Sequence, residues 1–592
     1  SVAGESCMGE TVTDSAGART LWRWLIALVT VGFVTWTYGQ LRFATSPNWQ
    51  DTPGYLAHAL YVAEHGGLLG FLRECFTGTF PITERHPLYF LILAPFASRT
   101  ADFFWVAKFI DLLTGLLVLL SLVWMVARRH GRWPALIAAI VYALSNSLVI
   151  ASSHVNNETQ FVLCTLWAWW FLTEYPGDAK AADDKAGMPA PWTRWAIAGA
   201  WIGLAYLAKS PAVLLGLAVV VAGLWRARLA FITGPRLWVF LASAAIVGSP
   251  LLVRNVIGFG TPFYEGMNSS ITWIDDWSEI GGKHSVMYYD QYGVMTIESN
   301  GMPTASTYLS THSAGDIARR LVKGLITETT KVAPQALAFG VPPLGRSATL
   351  FGFLVLGLAI AGWWTRRRSW EGVLLFFSTG AFLTFFGWDH MFPEIRYLAP
   401  LVPIWIAFAS LAVWQLLCRM VAAAHVQKIV AACAVAAVVV AGSWTFASGA
   451  LTSKRPTMDA TPAYNRLNDW LNKNIEAGDR VMHGPTREFY GLIWVIDRPI
   501  SFMLTPDATT LPDFLRYLSE RKVRYLVMHP ENVGGEGGRL KDALAPYFEA
   551  TAAGEIIAKL PLPGWEPVYS DPGSPRHFII YEAKPADGVS AR

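Results

Sequence analysis

The sequence predicts an α-helical polytopic membrane protein with a soluble α/β domain at its C-terminal end. Three observations predict it. Hydrophobic residues make up 53% of the 592 positions against 15% charged, 27 residues are tryptophan, and the mean hydropathy is +0.34, a balance outside that of ordinary soluble domains. Apolar runs of near-spanning length recur between residues 21 and 450. Beyond residue 455 the chain turns polar and alternates strand-like with helix-like stretches. The net charge of +4 is small for this length, and the basic residues cluster between apolar runs. That pattern orients a membrane protein and argues against a nucleic-acid surface.

In chain order, residues 1–20 form a polar segment, and the apolar run that follows has no cleavage-site pattern, so it reads as a retained span. Periodicity and hydropathy give about eleven spans, near 21–40, 104–127, 133–151, 159–174, 195–208, 210–225, 237–256, 347–364, 371–388, 397–417 and 427–448. Arg128, Arg129 and Arg132 follow the second span. Arg226, Arg228 and Arg236 follow the sixth, Arg366, Arg367 and Arg368 the eighth, and Arg419 with Lys428 the tenth. With the N-terminus inside, all four groups are cytoplasmic. The loops 41–103 and 257–346, the turn from His154 to Glu158, and the tail 455–592 are then outside. The run Leu88–Phe96 is too short to cross.

Within the first outer loop, Pro53 suits a first helical turn, which puts Asp51 at the positive end of a helix running to about Glu64. Tyr55, Leu56, Leu60 and Tyr61 would give that helix one apolar face, as in a helix lying on a bilayer. In the tail, a helix starts near Thr461-Pro462 with apolar residues at Tyr464, Leu467, Leu471 and Ile475 and ends at Gly478, strands cover 480–483 and 523–529, and helices cover 511–522 and about 540–548. The GGEGG at 534–538 lacks a following Lys-Ser/Thr pair and reads as a loop. Cys7, Cys75, Cys164, Cys418 and Cys433 have no paired spacing, so neither a disulfide framework nor a zinc site is expected.

Asp51-Thr-Pro-Gly-Tyr55, Glu84-Arg85-His86-Pro87-Leu88-Tyr89, Glu158, Lys209-Ser-Pro211, Arg254-Asn255 with Phe259-Gly260-Thr-Pro262, and Arg396-Tyr397 occur in an order that resembles the type C glycosyltransferases. The nearest branch is that of the protein O-mannosyltransferases and lipid A aminoarabinose transferases, and the resemblance spans roughly residues 20–420. It implies an enzyme of the bacterial inner membrane that takes a sugar from a polyprenyl-phosphate carrier and attaches it to a glycan, lipid or protein acceptor on the outer face. Asp51 and Glu158 would be the catalytic carboxylates, and Tyr55, Glu84, Arg85, His86, Lys209, Arg254, Arg396 and Tyr397 would contact substrate. Asp51-Thr52 stands where the family commonly has an Asp-Glu pair, and His86-Pro87 where two prolines are common. One carboxylate in place of two gives no support to a metal, so no cofactor is expected.

Such a transfer needs a base for the acceptor and fixed cations for the departing phosphate. Asp51 is the candidate base, and Arg85, Lys209, Arg254 and Arg396 are the candidate phosphate partners, Arg offering paired donors and Lys a point charge. Attack opposite the phosphate inverts the anomeric centre. Each residue also has a structural reading. Asp51 could cap a helix, Glu158 could anchor its turn to a cation, Arg254 and Arg396 could snorkel, and Lys108 could neutralise Asp111 three residues on. His86, His154 and His390 suit a polar pocket better than a ligand set. Two other classes stay open: a lipid or sugar transporter, which would show internal repeats and broken central spans, and a non-catalytic scaffold, which needs far fewer spans.

Overall fold

The computed structural model describes residues 16–584 except 44–50, 174–190, 267, 276–284, 300–302, 339–344, 390–393, 421–459, 484–500, 504–509, 531–540, 553–554 and 575. Six described helices are long and apolar enough to cross a bilayer: Arg19–Leu41, Phe103–His130, Pro235–Phe259, Thr349–Arg366, Trp370–Trp388 and Val402–Arg419. Each matches an expected span. Helices also form at the other expected positions up to residue 420, but they are shorter. Glu158–Thr173, Trp192–Ala208 and Ala212–Ala227 have 16, 17 and 16 residues. The expected span 427–448, His390 and the GGEGG loop lie outside the described residues.

The expected span at 133–151 is two helices, Arg132–Leu144 and Asn146–Ser153, broken at Ser145, whose backbone is extended. The Ser145 and Ser147 hydroxyls both donate to the Ala336 carbonyl, at 3.2 and 2.6 Å. Serine side chains that find a backbone partner outside the helix compete with its continuation. Hydropathy does not register that competition.

The Arg clusters gather at one end of the bundle. Arg129 pairs with Glu371 at 2.7 Å, the Trp22 indole donates to the Arg132 carbonyl at 3.0 Å, and Arg226 donates to the Arg368 carbonyl. A small pocket with mostly apolar walls opens there between Arg129, His130, Glu371 and Phe408. Asp51 belongs to the opposite end.

The helix Thr52–Glu64 departs from the amphipathic expectation. Ten of its residues are buried, among them Tyr55, Leu56, Leu60, His58 and Gly54, so it has no broad polar face. Part of the cover is local, with Tyr89 against Tyr55, Phe90 against His58 and Phe80 against Tyr61, and part comes from far along the chain. Strands β1 (Ser285–Tyr289) and β2 (Met295–Ser299) form a hairpin in the loop 257–346. Five further strands join it: β3 (Arg480–His483), β4 (Ser501–Met503), β5 (Tyr525–Met528), β8 (Trp565–Ser570) and β9 (Ile579–Ala583). Together they make a seven-stranded sheet of order β2-β1-β4-β3-β5-β9-β8, while β6 (Phe548–Ala550) and β7 (Ile556–Ala558) pair separately. β3 runs parallel to β4 and β5, and the other pairings are antiparallel. Helices Ala460–Asn474 and Leu511–Glu520 accompany the sheet, giving the α/β character expected of the tail. Leu467, Leu471 and Ile475 enter the same apolar cluster as Tyr55, Leu56 and Leu60. The tail and the first outer loop therefore share one core.

Candidate active site

Asp51 is the residue before the Thr52–Glu64 helix, yet its side chain makes no capping bond. Its two oxygens go elsewhere. Arg85 Nη2 donates to Oδ1 and Arg396 Nη1 to Oδ2, both at 3.1 Å. The Asp51 side chain remains 41% exposed, whereas Arg85 and Arg396 are 13% and 22% exposed. A carboxylate clamped by two cations but still open on one side can be reached by a substrate.

Gly54 makes room for this clamp. A Cβ there would lie 2.5 Å from Arg85 Cζ, so with any other residue the guanidinium that passes over the helix toward Asp51 would have to shift. The Arg85 guanidinium also sits 5.5 Å from the Tyr55 ring centroid. Thr52 Oγ1 donates to the Val155 carbonyl at 3.2 Å, joining the helix to the turn that carries Glu158. Asn157 in turn donates to the Ala208 carbonyl, which brings Glu158 to Lys209, with a Nζ–Oε1 distance of 2.6 Å. Arg396 Nε approaches Glu158 Oε1 at 4.0 Å and Glu394 at 2.5 Å. Lys209 Nζ and Arg396 Cζ face the Tyr397 ring at 5.0 and 5.2 Å, and that ring stacks on Phe386.

The surrounding protein strips water from Asp51, which by itself would raise its proton affinity. Arg85, Arg396 and Lys209 outweigh that and hold the carboxyl well below the usual carboxylate range. Burial, followed by the charges of Asp51 and Glu158, pushes the Tyr55 phenol well above its ordinary value, so it stays a neutral hydroxyl.

Of the residues singled out from sequence, Asp51, Tyr55, Glu84, Arg85, Glu158, Lys209, Arg396 and Tyr397 therefore come together. His86 and Arg254 lie apart from Asp51. His86 Nδ1 is 2.5 Å from the Tyr206 carbonyl, with Glu265 at 3.8 Å from its other nitrogen. Arg254 is 2% exposed, faces the Phe80 and Phe259 rings, and has no hydrogen-bond acceptor for Nε or Nη1 among the described residues. Asn255 beside it donates to the carbonyls of Pro262 and Tyr264, which holds the Phe259–Pro262 turn. Lys108 and Asp111 have separate partners. Lys108 donates to the Leu41 carbonyl at 2.8 Å, and Asp111 accepts from Tyr89, Thr159 and Gln160. His154 hydrogen-bonds within its own turn.

Two contributors, His58 and Glu394, escape sequence reading. His58 is fully buried against Arg85, Glu84 and the Tyr292 carbonyl. Its position in the Thr52–Glu64 helix, between apolar residues, was the available signal. Glu394 pairs with Arg396, and Tyr289 reaches the electrostatic range of Arg85 from β1. Among the described residues no three His, Cys, Asp or Glu side chains converge to hold a metal ion.

With this geometry in hand, comparison with known proteins is informative. The family of dolichyl-phosphate-mannose-protein mannosyltransferases matches residues 84–253. Comparison with curated protein sequences gives no significant match. The oligosaccharyltransferase of Archaeoglobus fulgidus, tethered to an acceptor peptide, is similar at 13% identity and a TM-score of 0.52, over 91% of this chain and 75% of that one. Its complex with an inhibitory peptide and a dolichol-phosphate is similar at 14% identity and 0.50, over 93% and 76%. ArnT from Cupriavidus metallidurans bound to undecaprenyl phosphate reaches 13% and 0.48, over 94% and 98%. At such identities the likeness is one of fold. The chain thus has the fold of the type C glycosyltransferases and carries, over residues 84–253, a segment matching the dolichyl-phosphate-mannose-protein mannosyltransferase family.

Proposed function

We propose that the protein is a membrane glycosyltransferase that moves a sugar from a polyprenyl-phosphate carrier to an acceptor on the outer face of a bacterial inner membrane, inverting the anomeric centre. Its N-terminus would be cytoplasmic and its tail outside, in keeping with the gathering of the Arg clusters at the end away from Asp51. The observation that carries the reading is Asp51, bound by Arg85 and Arg396 at 3.1 Å and still 41% exposed.

Asp51 takes the proton from the acceptor hydroxyl or amine as that atom bonds to the anomeric carbon. The bond from that carbon to the phosphate oxygen breaks, and the phosphate leaves with the electron pair. Arg85, Arg396 and Lys209 neutralise it. In the resting site the same cations depress the basicity of Asp51. An arriving phosphate competes for the guanidinium donors, so carrier binding frees the base it needs. Glu158, 2% exposed and 2.6 Å from Lys209, holds that cation in register. Arg254, whose Nε and Nη1 have no acceptor among the described residues, lies within electrostatic range of Glu84 and suits a contact to the donor outside the Asp51 clamp. The dolichol-phosphate bound to the archaeal oligosaccharyltransferase belongs to the same class of lipid phosphate, which supports the donor class by analogy of fold.

The test is turnover of a polyprenyl-phosphate sugar by purified protein in nanodiscs. Base catalysis contributes about 10²- to 10⁴-fold, so Asp51→Asn should lose most turnover while still binding the donor lipid. Glu158→Gln should be milder. A folded Asp51→Asn protein working at the unmodified rate overturns the reading.

A further inference from the structure

His58 is a buried titratable residue that this mechanism leaves without a role, and its contacts are specific. Its ring is 0% exposed. Nδ1 lies 3.0 Å from the Tyr292 carbonyl oxygen, and Nε2 lies 3.3 Å from Arg85 Nη1. A carbonyl only accepts, so Nδ1 carries the hydrogen. Nε2 also lies 3.3 Å from Glu84 Oε1, and in the neutral ring it is the acceptor, which matches the arginine donor of the two groups it faces. Arg85 Nη1 has a second hydrogen for Glu84 Oε1, 3.4 Å away, while Nη2 serves Asp51.

Tyr292 belongs to the turn between β1 and β2. That turn is pressed onto the Thr52–Glu64 helix, for a Cβ placed at Gly293 would lie 3.4 Å from Ala57 Cβ and 3.5 Å from His58 Cε1. Gly293 itself has φ +69°, which favours glycine. From there β1 pairs with β4, so the hairpin is the edge of the C-terminal sheet. A continuous path thus leads from the sheet through Tyr292 and His58 to the guanidinium that binds Asp51.

Resting on the reading of Arg85 as a donor-phosphate ligand, we propose that His58 is a positioning residue: it fixes the Arg85 guanidinium against the β1–β2 hairpin, so that the C-terminal sheet sets the geometry of phosphate binding. His58 touches no reacting atom. Its effect is on donor affinity through Arg85.

Two substitutions separate its two bonds. His58→Asn keeps a donor near the Nδ1 position and loses the acceptor for Arg85. His58→Gln can present an acceptor near Nε2. A hydrogen bond to a charged group corresponds to about tenfold or more in affinity, so His58→Asn should raise the donor KM by about that factor with kcat changed far less, and His58→Gln should recover much of it. The donor is a synthetic polyprenyl-phosphate sugar, and the protein is the full chain in nanodiscs. In an Arg85→Ala background no guanidinium remains to hold, so adding His58→Asn should leave the donor KM unchanged from Arg85→Ala alone. A packing role predicts instead an additive loss in both backgrounds. Unchanged KM in His58→Asn, or equal effects with and without Arg85, overturns the inference. Absence of any turnover by the unmodified protein overturns the transferase reading itself.

Discussion

Substituting Gly54 by alanine should separate activity from stability. The new methyl carbon would sit 2.5, 2.6 and 3.0 Å from Arg85 Cζ, Nη1 and Nη2. To restore ordinary van der Waals separation the guanidinium must retreat by about 1 Å. Such a retreat carries the 3.1 Å bond to Asp51 and the 3.3 Å contact with His58 beyond hydrogen-bond range. Losing a charge-assisted bond costs about 1.5–3 kcal/mol, which corresponds to about a tenfold to hundredfold fall in donor kcat/KM. Alanine is also the better helix former, worth at most about 0.5–1 kcal/mol at a mid-helix position and less in the first turn where Gly54 stands, which offsets part of the local loss. Thermal unfolding of Gly54→Ala should therefore move little while turnover falls steeply. The assay is initial-rate transfer against donor concentration, with unfolding followed on the same preparation. Wild-type kcat/KM, or an activity loss no larger than the loss of folded protein, would refute the claim that glycine is there for Arg85.

Arg254→Met removes a buried cation whose Nε and Nη1 lack acceptors among the described residues, so the ligand-free protein should unfold at a higher temperature while the donor KM rises. A lower unfolding temperature with unchanged KM would show that Arg254 serves packing alone. Glu328 offers a pH test: burial, then the Asp389 charge, pushes its carboxyl from 4.5 up to about 7. The folded protein retains a proton there that the unfolded chain has lost, so stability should fall as pH rises from about 4.5 to about 7 and level off above. Asp389, raised from 3.8 to about 6 chiefly by burial, acts in the same direction. Glu328→Gln should flatten the decline in unfolding temperature across that window, and an unaltered profile would refute the assignment.

What sequence could and could not reveal follows from the range of the forces involved. The long spans were legible because a run such as Phe103–His130 declares its environment residue by residue. Residues 51, 158, 209 and 396 could be matched because each flanks a span on one side of the membrane, which confines them to a thin layer before any folding detail is known. Arg254 obeyed the same rule and still ended among Phe80 and Phe259, since a shared depth does not specify a shared azimuth. The Thr52–Glu64 helix misled for a related reason. Its pattern describes how it would meet a bilayer, whereas the surface it meets is built from Phe71, Phe80, Tyr89 and Phe90 of its own loop together with the β1–β2 hairpin and the tail. His58 was hidden likewise, because its partners Arg85 and Tyr292 lie 27 and 234 positions away.

The pairing of β1 with β4 also has a consequence for how the protein is made. Tyr289 aligns with Phe502, so the hairpin that braces the site waits for a strand synthesised about two hundred residues later. Between those moments the nascent chain exposes β1 as an open edge, a template for mispairing with other secreted chains. Completion of the site therefore waits on the C-terminal segment: a chain that ends before β4 leaves the hairpin behind His58 and Arg85 without its sheet.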